Sequence, residues 1–582
     1  MRLLGCCLFV LSLALPLLAA EPRAVVWCAN ESTKVKPGDP VQAKNTVWNA
    51  EKRLVTIGSA RNEYVAFQII TRAMQDDVQG VIVEPSELKS AKGDVIPVRN
   101  IDLFRQHYLN VTVTSRGSLT ELLPYVSAGE HPTQMIPFHA KRLGAPFEVL
   151  PERNQPVWVD IYVPDDQAPG TYKGTFRVRS GNTVLSDVDV ELTVWNFTLP
   201  HETHFRSFLY TGPENLRWGH RLGDDWYDSP RFMKLEDAYF QMAHQHRLNF
   251  NPSAGDIVKE VTQRYKKYYT GEAFNERVGR GVGQNTLNMP PEGKNEAEFK
   301  KSTQNIVNAY EQNNFQALLF GYIWDEPSSP EDFAESKKRC KWVQEVIGNK
   351  LRCFVATPHW QKYDPTDVDI YSEIKLNEIP QVLARGDAIW AVNAGYAAGP
   401  FVDSPGFGGR SIVWMNWKMN LGGWQFWDVA YWVDRQNLRH KEGGKWVRSV
   451  TFKQINENPE DYLTDLYRDP LSFDETRKKG YPERDAIRIN GDGVLFYPGY
   501  DVGINGPIAS FAMKSLRRGA QDYEYMWLLK QDGREAELKP ILDSVIPAPG
   551  KWNDDPEAWE RARLKLAELL NSRPPKGTAT AD

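Results

Sequence analysis

The chain is poor in cysteine, with five among 582 residues. Cys6 and Cys7 lie in an apolar leader, so Cys28, Cys340 and Cys353 remain, too few for a disulfide scaffold and too scattered for a CxxC-type metal site. Cys340 and Cys353 could pair across a helix–strand connection. Histidine is sparse too, at 10 residues. HExxH is absent, and the close pairs His201/His204 and His244/His246 have no evident third ligand, so neither a metal nor a cofactor is expected. After the leader no segment holds eighteen uninterrupted apolar residues, so no membrane span is expected. A charge excess is also missing. Lys and Arg number 70 against 75 Asp and Glu, a formal net charge of −5, which argues against nucleic acid or an anionic membrane as partner. Gly279-Arg280-Gly281-Val282-Gly283 imitates a phosphate loop, but it follows no clear strand and lacks the dinucleotide spacing, so it reads as a flexible loop.

What the chain does have begins with that leader. Arg2, an apolar stretch over 3–18 and Ala19-Ala20 before Glu21 make a secretory signal with a small-residue cleavage site. Residues 1–20 are therefore expected to be removed and the product to be secreted or periplasmic. Leu3-Leu4-Gly5-Cys6 imitates a lipoprotein box, but no apolar region precedes it. Aromatic residues are abundant, with 19 Trp, 24 Tyr and 25 Phe. Such rings either fill large cores or stack on the flat C–H faces of sugars. In an exported, mildly acidic chain they point to a glycan or oligosaccharide as partner. Oligomeric state is not legible.

Residues 21–200 read as all-β. Alternating or apolar runs at 53–57, 64–71, 78–83, 157–163, 174–178 and 188–194 are separated by turn residues, with Gly181-Asn182 as a hairpin, and a β-sandwich is expected. After a linker around Leu199-Pro200, residues 201–530 alternate strands with helices. Strands are expected at 205–210, 248–251, 318–324, 351–356, 388–392, 411–414, 424–427 and 494–497, and helices at 231–247, 296–313, 330–347 and 508–529. Units of this kind imply a parallel sheet, and their number favours a closed (β/α)8, TIM-like barrel. The polar stretches 270–294 and 437–480 read as long loops over its mouth. The last segment, 531–582, holds a helix at 556–570 and a disordered end from 574.

Chemistry is expected at Tyr322-Ile323-Trp324-Asp325-Glu326-Pro327. An apolar run that breaks at a proline is a buried strand, and in an α/β barrel reactive groups sit where such strands end. Two adjacent acids shift one another's proton affinity, so one can stay protonated beside an ionised partner, the asymmetry that glycosidic cleavage needs. Neighbours on a regular strand face opposite sides, so both acids can serve one sugar only where the chain bends or bulges, for which Pro327 is well placed. Other strand ends bring Trp360, Trp390, Asn393, Tyr396, Trp414, Trp427 and Tyr497, which with Tyr322 are the candidate substrate-binding residues. Trp414 and Trp427 are read as a hydrophobic floor. In 422–427 alternate residues must face the helices and serve packing.

Trp324-Asp325-Glu326-Pro327 occurs together with Trp414-Met415-Asn416-Trp417-Lys418 and Gly422-Gly423-Trp424-Gln425-Phe426-Trp427. Gly491-Asp492-Gly493-Val494-Leu495-Phe496-Tyr497-Pro498-Gly499 and the run 515–525, with Arg517, Arg518, Asp522 and Tyr525, follow. With Ala60-Arg61-Asn62-Glu63-Tyr64 and the run 156–164 in the front half, the set resembles glycoside hydrolase family 123 and its uncharacterised relatives over most of the chain. The resemblance implies a retaining exo-glycoside hydrolase, β-N-acetylgalactosaminidase- or hexosaminidase-like, in which the substrate's acetamido group is the nucleophile. It assigns Asp325 to orient and polarise the acetamide, and Glu326 to protonate the departing oxygen and then deprotonate the incoming water. Asn393, Tyr396 and Tyr322 would hold the acetamide. Arg517, Asp522 and Glu524, inside a helix, read as structural ion pairs. Two other readings stand beside this one. In one, a more distant carboxylate, Glu373 or Asp387, replaces the acetamide on another polysaccharide. In the other, the protein binds glycans without turnover.

Overall fold

The computed structural model describes residues 23–116, 126–223, 226–253, 255–275, 277, 279–433 and 487–572, with short pieces between 434 and 486. The leader at 1–20, the tail from 574 and most of 437–480 lie outside the described residues.

In the front half two sheets form, with near-continuous burial along Glu63–Ala73 and Asn154–Val163 of the first and alternating burial along the central hairpin of the second. One has five strands in the order Ala24–Asn30, Glu63–Ala73, Asn154–Val163, Ile101–Val111 and Gly129–Pro137. The second centres on the hairpin Gly170–Ser180 and Thr183–Thr198, turned at Gly181 with φ 56°. Trp27, Ile57, Phe67, Ile161, Phe176 and Leu192 fill the core of this sandwich.

The barrel strands follow: β1 (Ser207–Thr211), β2 (Phe250–Pro252), β3 (Thr286–Asn288), β4 (Leu318–Asp325), β5 (Arg352–Ala356), β6 (Ile370–Ser372), β7 (Ala388–Val392) and β8 (Gly423–Phe426). All pair in parallel, in the order β2-β1-β8-β7-β6-β5-β4-β3. That is the (β/α)8 succession with one seam, between β2 and β3. Side chains bridge the seam where the ladder stops: Asn285 N donates to Asn249 Oδ1 (2.8 Å), Asn249 Nδ2 to Asn285 Oδ1 (2.7 Å) and Phe250 N to Gln284 Oε1 (2.6 Å). The barrel is thus nearly closed behind an all-β domain, the fold class the sequence implies.

Helices α1 (Pro230–Gln245), α2 (Glu296–Gln312), α3 (Pro330–Ile347) and α4 (Ile379–Ala384) precede α5 (Gly408–Lys418), α6 (Phe511–Gln531), α7 (Glu535–Val545) and α8 (Pro556–Asn571). Ser229, Asn295 and Ser329 cap the first three, Ser329 with Asp332 in a capping box. No helix among the described residues is long and apolar enough to cross a membrane. Cys340 on α3 and Cys353 on β5 form a disulfide, and Cys28 is free and buried.

Three sequence assignments change. Residues 411–414 lie in α5, whose residues 408–416 are all buried, so no polar face marks the helical period. The expected loop 270–294 contains β3. The run 494–497 feeds a two-stranded hairpin, Phe496–Pro498 with Pro507–Ala509, outside the barrel sheet.

Inside the barrel Phe208, Phe320, Phe354, Ile370 and Trp390 form an aromatic plug. The sandwich docks on α6 through buried ion pairs. Asp160 takes Lys514 at 2.7 Å and Arg517 at 3.0 Å, while Glu63 takes Arg518, Arg563 at 3.1 Å and the Tyr525 hydroxyl at 2.7 Å. The front and rear sequence motifs thus meet at one interface.

Candidate active site

β4 carries the acid pair, and its irregularity decides where the pair points. Against β5, Tyr322 pairs with Phe354 and Trp324 with Val355, so Ile323 is an extra residue, a β-bulge. Phe320 and Tyr322 face inward, with ring centroids 5.8 and 4.8 Å from Phe354. Trp324, which a regular strand would also turn inward, packs outward, with the Arg339 guanidinium of α3 5.5 Å from its ring centroid. Asp325 therefore returns to the inner face, where the Tyr322 hydroxyl donates to its Oδ1 at 2.9 Å. Glu326 then takes φ 46° while its amide donates to Ala356 O at 3.0 Å. The bend that both acids require is made by a bulge and a left-handed residue, and not by Pro327 alone.

Glu326 remains solvent-accessible, so burial acts on it only in part. That partial burial, and then the charge of Asp325, raise its proton affinity. A third acid joins them. Glu373 follows β6 with φ 66°, and burial, then the charges of Glu326 and Asp325, push it up to about 7. Burial and the Asp325 charge also hold the Tyr322 phenol well above its usual range.

The rest of the rim comes from neighbouring strands. Asn393 follows β7 with φ 49°, and its Oδ1 is buried without a hydrogen-bond partner. Tyr396, at φ 59°, donates to Ile374 O at 2.6 Å. Gln425 of β8 donates to Ser372 Oγ at 3.0 Å and meets the Tyr322 hydroxyl. Trp427 hydrogen-bonds Asp492 and packs on Tyr431 at 4.8 Å between centroids. A Cβ at Gly493 would come 3.1 Å from the Trp427 ring, so glycine there makes room for it. Glu326, Glu373, Asn393 and Tyr396 are non-glycine residues in the left-handed region, each costing about 1–3 kcal/mol, and strain of this kind gathers at functional sites.

Four of the eight candidate binding residues lie elsewhere. Trp390 is one layer too deep, 5.2 Å from Phe320, and lines a cavity of about 460 Å³ with Leu318, Arg352 and Asp387 at the strands' N-terminal ends. Asp387 belongs there too, 3.0 Å from Arg385. Trp414 is buried on α5, donating to Asp522 Oδ2 at 2.9 Å with Trp559 at 5.8 Å. Trp360 is held among outer residues, donating to Glu378 Oε2 at 3.0 Å under the Arg385 guanidinium. Tyr497 is buried on the outer hairpin. Sequence reasoning missed Gln425 and Asn288, whose Oδ1 accepts from Tyr322 N at 2.9 Å. It weighed Glu373 only as a substitute nucleophile. A three-residue strand such as β6 offers no alternation from which to find it.

Residues 40–180 match the family model of the glycoside hydrolase 123 N-terminal domain. A family 123 glycoside hydrolase from Clostridium perfringens, described for glycolipid glycan hydrolysis, superposes with a TM-score of 0.63 at 12% identity over 94% of this chain and 97% of that one. Residues 40–180 thus match that family's N-terminal domain, and the chain shares the fold of the family 123 structure. Together the two matches support a glycosidase. A family 5 xyloglucanase from Bacteroides ovatus matches 65% of this chain and 92% of that one at 8% identity, with a TM-score of 0.24 that adds nothing to the fold. No curated protein sequence matches.

Proposed function

We propose that this family 123-type protein is a retaining exo-glycoside hydrolase of the β-N-acetylgalactosaminidase or hexosaminidase kind, using the substrate's acetamide as nucleophile. One observation carries the reading: the bulge at Ile323 and the left-handed turn at Glu326 give adjacent acids access to one mouth. Asp325, fixed by the Tyr322 hydroxyl, accepts the acetamide N–H and orients the carbonyl oxygen toward the anomeric carbon. As the glycosidic bond breaks, Glu326 gives its proton to the leaving oxygen. It then takes a proton from the water that opens the oxazoline. The raised proton affinity of Glu326 suits that acid role. Asn393, Tyr396 and Trp427 are proposed to hold the sugar.

Export to an oxidising compartment is proposed from the leader and supported by the Cys340–Cys353 disulfide. Glu373 favours a second reading, a two-carboxylate hydrolase of sugars lacking an acetamide, because it shares the mouth with both acids. The test is hydrolysis of chromogenic β-glycosides with and without the 2-acetamido group, with NMR of the first-formed anomer. Cleavage of only the acetamido sugars, with retention, supports the first reading; equal cleavage of the plain sugars supports the second.

A further inference from the structure

Asp325, Ala356 and Ser372 are aligned across β4, β5 and β6. Glu326 and Glu373 each come one residue beyond that row, and both adopt left-handed backbone, at φ 46° and 66°. Two strand spacings, about 10 Å, separate their backbones, a span two glutamate side chains can close around a hexose. Glu373 acts electrostatically on Tyr322 on one side and Tyr396 on the other, and the Tyr396 hydroxyl ties down Ile374, the next residue. The groups that act on Glu373 are the carboxylates Glu326 and Asp325.

Among the described residues no lysine or arginine pairs with any of these three acids, and no cluster of acids, histidines and cysteines able to hold a metal ion occurs. The unpartnered Oδ1 of Asn393, whose residue is only 9% exposed, adds an unmet acceptor at the neighbouring strand end. Among the described residues this part of the rim gathers three carboxyls and an unmet acceptor, and no cation pairs with them. It complements hydroxyl and amide donors, and it repels a sugar that brings its own negative charge.

Building on the glycosidase reading above, we propose that Glu373 determines specificity: its carboxyl takes the hydroxyls of an uncharged glycon and bars sugars carrying carboxylate or sulfate. Glu373→Gln keeps the side chain's shape and one acceptor oxygen but cannot ionise, so it removes the repulsion that the ionised carboxylate exerts above about pH 7.

The experiment compares kcat/KM of the full chain on chromogenic β-N-acetylhexosaminides, neutral and 6-O-sulfated, for wild type, Glu373→Gln and Glu373→Ala. The wild type is expected to prefer the neutral sugar, and Glu373→Gln to narrow that preference about tenfold or more. Glu373→Ala is expected to lose about tenfold or more on the neutral sugar, for want of a buried hydrogen-bond partner. If the variants do not fold, the wild type still answers: rising ionic strength is expected to improve the sulfated substrate and leave the neutral one unchanged. An active wild type whose preference moves with neither the substitution nor salt overturns the proposal and leaves the hydrolase reading intact. Azide rescue of Glu373→Ala with formation of a glycosyl azide also overturns it, by making Glu373 a nucleophile. A wild type that cleaves no acetamido sugar sinks the hydrolase reading and this proposal with it.

Discussion

Tyr322 and Asp325 lie three residues apart on one strand, yet their side chains share a face and a 2.9 Å hydrogen bond. Odd separations put side chains on opposite faces of a regular strand, so the contact exists only because Ile323 is an extra residue in the ladder. Tyr322→Phe keeps the ring against Phe354 and deletes the donor to Asp325. Because Asp325 is exposed, the bond is worth about 1 kcal/mol, so kcat is expected to fall about fivefold with little change in thermal stability. Steady-state kinetics and a melting curve check this.

Trp414 tests the boundary between site and core. It lies on α5, tied to Asp522 and packed on Trp559. Trp414→Phe leaves Asp522 short of a donor and is expected to lower stability by about 1–3 kcal/mol while KM is unchanged. Denaturant titration and substrate saturation give the two numbers.

Much of this was legible where the pattern was long. The apolar run 318–324 and the following proline located β4 and the acids, and the strand–helix alternation gave the barrel. The hidden parts had physical reasons to be hidden. β3 and β6 are three residues each, below the length at which alternation registers, so the strand end that presents Glu373 was unseen. α5 is buried along most of its length and carries Ile412 and Val413, so its apolar run read as a strand. An aromatic at a strand also does not reveal its depth: Trp390 and Trp427 looked alike, but one plugs the barrel and the other reaches the rim.

The interface between sandwich and barrel rests on buried charge. Burial pushes Glu63 and Asp160 up, but the guanidiniums of Arg563 and Arg518 outweigh it for Glu63, holding it down at about 2, and Arg517 and Lys514 do so for Asp160. Depressed carboxyls stabilise the fold above their unfolded range, about pH 4, and lose that contribution as pH falls toward 2. Denaturation midpoints at pH 6 and pH 2.5 are expected to show a steep loss on the acid side. Asp160→Asn is expected to cost about 3–5 kcal/mol by leaving Lys514 and Arg517 buried and underpaired, and to flatten the acid limb.

The Cys340–Cys353 bridge closes a 13-residue separation between α3 and β5. Closing a loop of that size constrains the unfolded chain by about 3 kcal/mol. Replacing both cysteines with serine is expected to lower the melting temperature to the value the wild type shows under reducing conditions, with kcat unchanged.

The most direct test is the turnover of Glu326→Gln and Asp325→Asn on a chromogenic β-N-acetylgalactosaminide, with folding checked by circular dichroism. Each neutralised acid is expected to lose about 10²–10⁴ in kcat while the fold is kept. A folded variant of either acid that stays within about tenfold of wild type would contradict the roles given to the pair.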